Sequence, residues 1–137
     1  MCPNLVMSSQ KIEGLEALDA QLAAIARQIA EQGAPAAAHA AARVLYQEVE
    51  RTAPEDSGEL KSALEIVQAQ EPARSIAAVS VADSQKGGAL WHAVLLEYGT
   101  SHMPPHPFMR PAFEAGQRDA HAAAAAALQQ TLIRSTS

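Results

Sequence analysis

Two short segments in the last third of the chain restrict its fold more than any other part. The first, Leu96–Thr100, is an apolar run that ends in a Gly-Thr turn. The second, His106–Phe113, follows a loop that contains Pro104 and Pro105. Proline fixes φ and removes a backbone donor, whereas glycine permits positive φ. The order of these residues predicts an apolar element, a tight turn at Gly99, a stiff loop and then a helix.

The aromatic residues concentrate in the same region. Only Tyr46 lies elsewhere, and the other four are Trp91, Tyr98, Phe108 and Phe113. Aromatic side chains bury wide surfaces, so we expect Phe108 and Phe113 to fix the last helix to a sheet. A recognition surface of this protein is also expected here.

Length and composition predict a single domain over residues 1–137, with flexible termini at 1–10 and 135–137. A chain of 137 residues can bury a core without disulfides or a structural metal. The chain is 48% hydrophobic but only 4% aromatic, and much of the apolar content is alanine, which buries little area. We therefore expect a thin core rich in helix.

Charge and cysteine content limit the expected binding partners and the expected cellular compartment. The net charge is −5 and the basic residues are scattered, so we expect no specific nucleic-acid binding. Cys2, the single cysteine, fits a reducing compartment. Neither a secretory leader nor a run of about 20 apolar residues is visible, so we expect a cytoplasmic protein without membrane contact.

Apolar spacing predicts two N-terminal helices or one broken helix. Residues three and four apart form one helical stripe, namely Ile12, Leu15, Leu18, Leu22, Ile25 and Ile29. Gly33 is expected to end this helix, and Pro35 fits the first turn of a second helix that runs to about Arg51. The second helix has a face of small residues that permits close approach of a neighbouring backbone.

The remaining chain predicts an α+β fold. After a turn at residues 52–58, β-branched runs at 65–70 and 75–81 predict two antiparallel strands joined by a turn at 71–74. The apolar run 89–98 is interpreted as a third strand that could begin in a helical turn, and a helix is expected from Phe108 to about Ile133. The predicted architecture is N-terminal helices, a small, mostly antiparallel sheet of three to four strands, and a C-terminal helix packed on the sheet.

No residue pattern points to catalysis, so the chain is predicted not to be an enzyme. His102 and His106 are four apart, but the prolines around them forbid the helix that would align both rings on a metal. No nucleophile pattern is visible, and Gly87-Gly88 lacks the rest of a phosphate-binding loop. We predict no catalytic, cofactor-binding or metal-ligating residue.

Two local roles stay open. Asp56 or Ser57 can cap a short helical turn, or the turn around them can set the angle between the helical half and the sheet. Arg110 lies in the first turn of the last helix, where the dipole disfavours a cation. Glu97 is therefore a candidate partner for its guanidinium, and an exposed Arg110 that packs through its stem is the alternative.

Three motifs resemble those of one family. Residues 53–64, Ala-Pro-Glu-Asp-Ser-Gly-Glu-Leu-Lys-Ser-Ala-Leu, are similar to its Ala-Pro, acidic, Thr/Ser-Gly, Leu, Lys/Arg-Ser motif. Residues 97–100, Glu-Tyr-Gly-Thr, and 107–112, Pro-Phe-Met-Arg-Pro-Ala, resemble the other two. The family comprises small head-tail joining proteins of tailed bacteriophages and prophages, of the neck, tail-completion and minor tail protein Z types. Ser57, where Thr is commoner, and Trp91-His92 depart from its pattern.

The resemblance implies a structural virion component that is assembled in the bacterial host cytoplasm and needs no cofactor. It also implies other neck, connector or tail proteins as partners, and a ring of identical copies in the particle. The expected interface or motif residues are Pro54, Asp56, Ser57, Gly58, Leu60, Glu97, Tyr98, Gly99, Thr100, Pro107, Phe108, Arg110 and Pro111.

Three further hypotheses arise from the residues. An acidic ring wall would let duplex DNA slide past without binding, with Glu48, Glu50, Glu55, Asp56 and Glu59 as candidates. A rival function is a helical adaptor unrelated to phage, whose stripe from Leu15 to Ile29 mediates homo-oligomerisation or captures a partner. The alternative for the stripe is that it packs against the protein's own sheet. The least favoured alternative is a metal-dependent enzyme that uses His92, His102 and His106.

Overall fold

A computed structural model describes residues 14–55, 58–72, 74–82 and 88–137. The predictions for Cys2, for residues 1–10 and for Asp56 and Ser57 lie outside these ranges. The elements in chain order are α1 (Leu15–Gln28), a π-helical turn (Ile29–Gly33), α2 (Ala34–Thr52), α3 (Glu59–Ser62), β1 (Leu64–Glu71), β2 (Arg74–Val81), α4 (Ala89–Tyr98) and α5 (Met109–Thr136).

Helices α1 and α2 follow each other without a loop and are joined by the π-helical turn. In this turn the Ala34 N–H bonds to the Ile29 carbonyl, five residues earlier, and Pro35, which has no N–H, follows at once. Gly33 has helical dihedral angles, so the expected helix end at Gly33 is wrong. Helix α5 packs closely here, because a Cβ on Gly33 would lie 3.4 Å from the Leu128 side chain.

The C-terminal helix packs along α2 and not on the sheet, which corrects the predicted arrangement. Small residues allow the two helices to approach closely, as expected for the alanine face of α2. Ala42 and Ala112 are almost fully buried, and a Cβ on Gly116 would lie 3.0 Å from the Glu48 side chain. Close backbone approach is the way alanine-rich helices can still pack densely.

The sheet has two strands, not the predicted three to four. The antiparallel pair β1 and β2 was predicted from its β-branched residues and is confirmed, with Leu64 opposite Val81 and Glu71 opposite Arg74. An Arg74–Glu71 ion pair of 2.7 Å lies at the turn of the hairpin. One face of this hairpin lies against α2.

The run from Ala89 to Tyr98 is the helix α4, so the third strand is wrong. Only one of its ten residues, Val94, is β-branched, and the others include strong helix formers such as Ala, Leu and Glu. Gly88 and Gly99, both with positive φ, flank the helix at its two ends. Glycine after the last turn is a common helix stop.

The core lies where the end of α2, the open end of the hairpin, α3, α4 and the start of α5 meet. It consists of Val49, Ala53, Leu60, Leu64, Val81, Ala89, Ala93, Phe108 and Ala112. Phe108 is 2% exposed and is the largest side chain that is fully buried among the described residues. Phe113, expected to share its role, is 52% exposed. No helix in the described ranges is long and apolar enough to cross a membrane.

Helix α1 contributes nothing to this core. None of its residues is buried, and Leu15, Leu18 and Leu22 are 48%, 53% and 54% exposed. Its main contacts are with the π-helical turn and with α5. In the part of the chain that the structure describes, Leu15, Leu18 and Leu22 are left exposed, as expected if the stripe is a surface for a partner.

Deletion of residues 1–28 is expected to leave a cooperatively folded protein. No residue of α1 is fully buried and only Ile25 and Gln28 are half-buried, so the loss should stay below about 1 kcal/mol, a few degrees in Tm. Thermal unfolding followed by circular dichroism measures it. Deletion of residues 124–137 is the control, because it removes the packing of Leu128 on Gly33 and should cost more. A collapsed 1–28 deletion would show that α1 holds the fold together.

Candidate functional site

The second and third sequence motifs meet through one carboxylate. Glu97, in the last turn of α4, accepts hydrogen bonds from three successive backbone N–H groups at the start of α5. Its Oε2 accepts from Phe108 at 2.9 Å and from Met109 at 3.1 Å, and its Oε1 accepts from Arg110 at 3.2 Å. Glu97 therefore caps α5 from another helix, eleven to thirteen residues earlier in the chain.

This cap corrects the predicted role of Glu97. It was expected to pair with the Arg110 guanidinium, but it binds the Arg110 backbone N–H, and no ion pair joins the two side chains, both of which the structure describes. The first N–H groups of a helix lack partners within the helix, and an anion there also interacts favourably with the helix dipole. Phe108 at the N-cap has no side-chain acceptor. The absence of a capping side chain at position 108 was the signal in the sequence that a residue elsewhere caps this helix.

Gly99 makes the turn between the two motifs, as predicted. Its φ of 74° and ψ of −178° lie in a region that is essentially restricted to glycine. A Cβ at this position would lie 2.8 Å from the Pro105 nitrogen and 2.9 Å from the Met103 carbonyl oxygen. The loop therefore folds directly over Gly99 and needs its missing side chain.

Thr100 and two backbone bonds hold the loop in this position. The Thr100 Oγ1 accepts hydrogen bonds from the N–H groups of His102, at 3.2 Å, and of Met103, at 3.1 Å. The Thr100 N–H donates to the Met103 carbonyl at 2.9 Å, and the His106 N–H donates to the Leu96 carbonyl at 2.7 Å. With the prolines, these bonds make the loop a rigid part of the surface.

The first motif contributes to the core on the other side of α4. Leu60 is 4% exposed and belongs to the same buried cluster as Phe108. Gly58, predicted to permit positive φ, has a φ of 60° and precedes α3 directly. Pro54 is half-buried after the end of α2. All three motifs are thus connected to one core.

Next to this core, α4 presents an exposed apolar face. Trp91, Val94 and Tyr98 are spaced on one side of the helix and are 66%, 39% and 71% exposed. Met103, in the adjoining loop, is 37% exposed. We call these four residues the docking face. Tyr98 was predicted as an interface residue. The interpretation of the run as a strand did not place Trp91 and Val94 on the same face as Tyr98.

The other predicted site residues lie around this face or at the start of α5. Thr100, Pro107, Arg110 and Pro111 are exposed. Within the described ranges no cluster of three or more His, Cys, Asp or Glu side chains is arranged to hold a metal. The His102 ring is hydrogen-bonded through Nδ1 to the Ser101 hydroxyl, at 2.8 Å.

Replacing Glu97 is expected to destabilise the protein through its cap. Glu97→Ala leaves three N–H groups without their acceptor and should cost about 2–3 kcal/mol, whereas Glu97→Gln keeps an acceptor oxygen and should cost about 1 kcal/mol. Urea unfolding measures both. Glu114→Ala, which removes an exposed carboxylate of α5, is the control and should stay within about 0.5 kcal/mol of wild type. A Glu97→Ala variant as stable as this control would refute the cap.

Gly99→Ala is expected to destabilise far more than Gly58→Ala. Both glycines have positive φ, but nothing lies within 4 Å of a Cβ on Gly58, so that change should cost only the dihedral strain of about 1–2 kcal/mol. At Gly99 the new Cβ must also displace two backbone atoms. Chemical unfolding of the two variants measures the difference. Equal costs would mean that the loop is free to move away.

Comparison with known proteins identifies one family. The profile of a family described as "Bacteriophage HK97-gp10, putative tail-component" matches residues 16–99, more than half of the chain. The match runs from α1 to the glycine after α4 and stops before the loop and α5. No curated protein and no solved structure matches the chain. The chain belongs to the HK97-gp10-like family of bacteriophage tail components.

Proposed function

We propose that this tail component acts in the head-tail connection, as a neck or tail-completion protein of a phage or prophage particle. In this role it binds neighbouring neck, connector or tail proteins and forms a ring of identical copies. The proposal rests on one observation above all, the exposed docking face on α4 beside a loop that is held rigid.

The docking face has the properties of a protein interface. Tryptophan, tyrosine and methionine are enriched at protein interfaces. Truncation of an aromatic residue at the centre of an interface often removes a large part of the binding free energy. Trp91 and Tyr98 are both more than half exposed on a helix, so they present wide apolar area without a partner inside the described chain. The loop is already ordered, so binding would lose little conformational entropy.

The motif residues support a mechanical role and not a catalytic one. The Glu97 carboxylate is occupied by three backbone donors, Gly99 supplies a backbone conformation, and Phe108 fills the core. Each of these residues shapes the surface and none is poised toward a substrate. Assembly in the host cytoplasm and incorporation into the virion follow from this role.

The proposed ring surrounds DNA without binding it tightly. A net charge of −5 gives little counterion release on contact with a duplex. Of the acidic candidates, Glu48 pairs with Arg51 at 2.7 Å and Glu55 with Lys61 at 3.4 Å. Glu50 and Glu59 are exposed and form no ion pair among the described residues.

The exposed stripe of α1 favours a second binding surface in the same protein. Leu15, Leu18 and Leu22 alternate in spacings of three and four, which is the pattern of a helix that pairs with another helix. Because none of them is buried in the chain, the partner-binding part of the adaptor hypothesis fits the structure. Membership of a phage tail-component family supports a partner among the other proteins of the particle.

Trp91→Ala and Tyr98→Ala are expected to abolish head-tail joining without unfolding the protein. Each should weaken docking at least tenfold, because central aromatic residues of an interface contribute about 2 kcal/mol or more. The measurement adds purified variants to particles that lack this protein and counts joined heads and tails by electron microscopy. Ile133→Ala, a residue 65% exposed near the end of α5, is the matched control. Normal joining by both folded aromatic variants would refute the proposal.

A further inference from the structure

The sheet has two free edges, and the hydrogen-bond pattern shows which backbone groups lie on them. The Ala82 N–H donates to the Ala63 carbonyl at 2.7 Å, which makes these residues a hydrogen-bonded pair. In an antiparallel ladder such pairs alternate with non-bonded ones. The N–H and C=O groups of Ala77 and Val79 therefore point away from β1, and no other backbone group in the described ranges bonds to them.

A groove of about 450 Å³ lies between β2, α2 and the start of α5. Three successive strand residues, Ala77, Ala78 and Val79, border it, although their side chains alternate between the two faces of the sheet. Val79 packs against the core and Ala78 is exposed, so the groove opens on the side of β2 that faces the helices. Its helical walls are formed by Leu45, Val49, Met109, Arg110 and Phe113.

The outer edge of β1 lies over the opposite flank of α2. There Ile66 borders a second groove, of about 370 Å³, which is otherwise lined by His39, Arg43, Tyr46, Gln47 and Glu50. By the same alternation, the backbone groups of Ile66 and Gln68 point away from β2. The two edges of one molecule thus carry different helical walls.

We propose that β1 of a second copy adds to the outer edge of β2, so that one antiparallel sheet continues from copy to copy. This inference rests on the proposed ring and identifies the surface that builds it. Rotation about an axis near the strand direction keeps every β1 pointing one way and every β2 the other. The junction β2 to β1 is then antiparallel, like the pairing within each copy, and α2 stays on the same face of the sheet.

The walls beside the two edges carry one pair of oppositely charged groups, and the wall beside β1 also contains the exposed cation Arg43. Arg110, on the wall beside β2, and Glu50, on the wall beside β1, are both exposed and form no ion pair among the described residues. Head-to-tail addition brings a wall with the guanidinium toward a wall with the carboxylate, and Phe113 toward Tyr46. A pair of β2 edges would instead bring like charges together.

The two strands also match in length, and their pairing is heterologous. Both β1 and β2 have eight residues, so each edge offers a full-length partner to the other. A heterologous contact leaves one free edge at each end and produces a ring once the rotation closes. An isolated hairpin is only marginally stable, so neighbours would also stabilise the sheet.

Proline at outward-pointing positions tests the inference on the full-length chain. Ala77→Pro removes one outward N–H from β2, and Gln68→Pro removes one from β1, while the ladder between the two strands keeps its bonds. Each variant alone should associate at least about 30-fold more weakly than wild type, because its blocked edge loses hydrogen bonds and close contact. An equimolar mixture should form dimers, since each variant retains the edge that the other lacks. Sedimentation velocity across a concentration series measures this.

Controls and a second pair of variants keep the test decisive. Ala77→Ser and Gln68→Ala retain the N–H and should assemble like wild type, and circular dichroism checks the fold of every variant. If the proline variants do not fold, charge reversal replaces them. Arg110→Glu should weaken association about tenfold, and the double variant with Glu50→Arg should restore it.

Three results would overturn the inference. A wild type that stays monomeric at every concentration excludes edge pairing between copies, even if the head-tail joining assay succeeds. Self-association by Gln68→Pro but not by Ala77→Pro would mean that two β2 edges pair with each other. Unchanged assembly by both proline variants would mean that other surfaces build the ring, and that the groove along β2 is left for a strand of another protein.

Discussion

The Glu97 cap is the interaction on which the shape of this protein depends. One carboxylate, at the end of α4, satisfies the first three backbone donors of α5 and thereby fixes where α5 begins. Phe108, the first of these donors, is placed in the centre of the core by the same bonds. The loop between the helices must then close over a distance that only the glycine conformation at position 99 permits. The exposed aromatic residues of α4 are held in position by these contacts.

Alanine determines how the remaining elements pack. A side chain of one methyl group buries little area, so stability comes from close approach of backbones more than from large apolar groups. Helix α2 lies between α5 and the hairpin, and glycines at positions 33 and 116 allow α5 to approach it. The alanine-rich core leaves a small sheet with two free edges in the described part of the chain, and it does not include α1.

These uncovered parts fit a protein that functions inside an assembly. The docking face, the leucine stripe of α1 and the edges of the sheet lie on different elements and expose apolar or unpaired backbone groups. In a free monomer such surfaces favour aggregation, whereas in a particle they are contact sites. A tail component of a phage must contact several neighbours at once, and the distribution of these surfaces over the molecule meets that requirement.

Local chemistry determined a substantial part of the structure from the sequence alone. The helical stripe of Leu15 to Ile25, the hairpin at 64–81, the positive φ of Gly58 and the turn at Gly99 follow from periodicity or from the backbone freedom of single residues. The motifs also identified the family. These features depend on neighbours within a few positions, so the sequence contains all the information they need.

Only the tertiary structure decided which distant groups meet. Residues 89–98 were ambiguous as an apolar run, and they form a helix between the buried Leu60 and Phe108 regions of one core. Glu97 binds the backbone and not the side chain of Arg110, and α5 packs on α2 while Phe113 remains exposed. The physical reason is that dihedral preferences act within a turn of the chain, whereas hydrogen-bond partners and burial depend on every element that arrives at the same place.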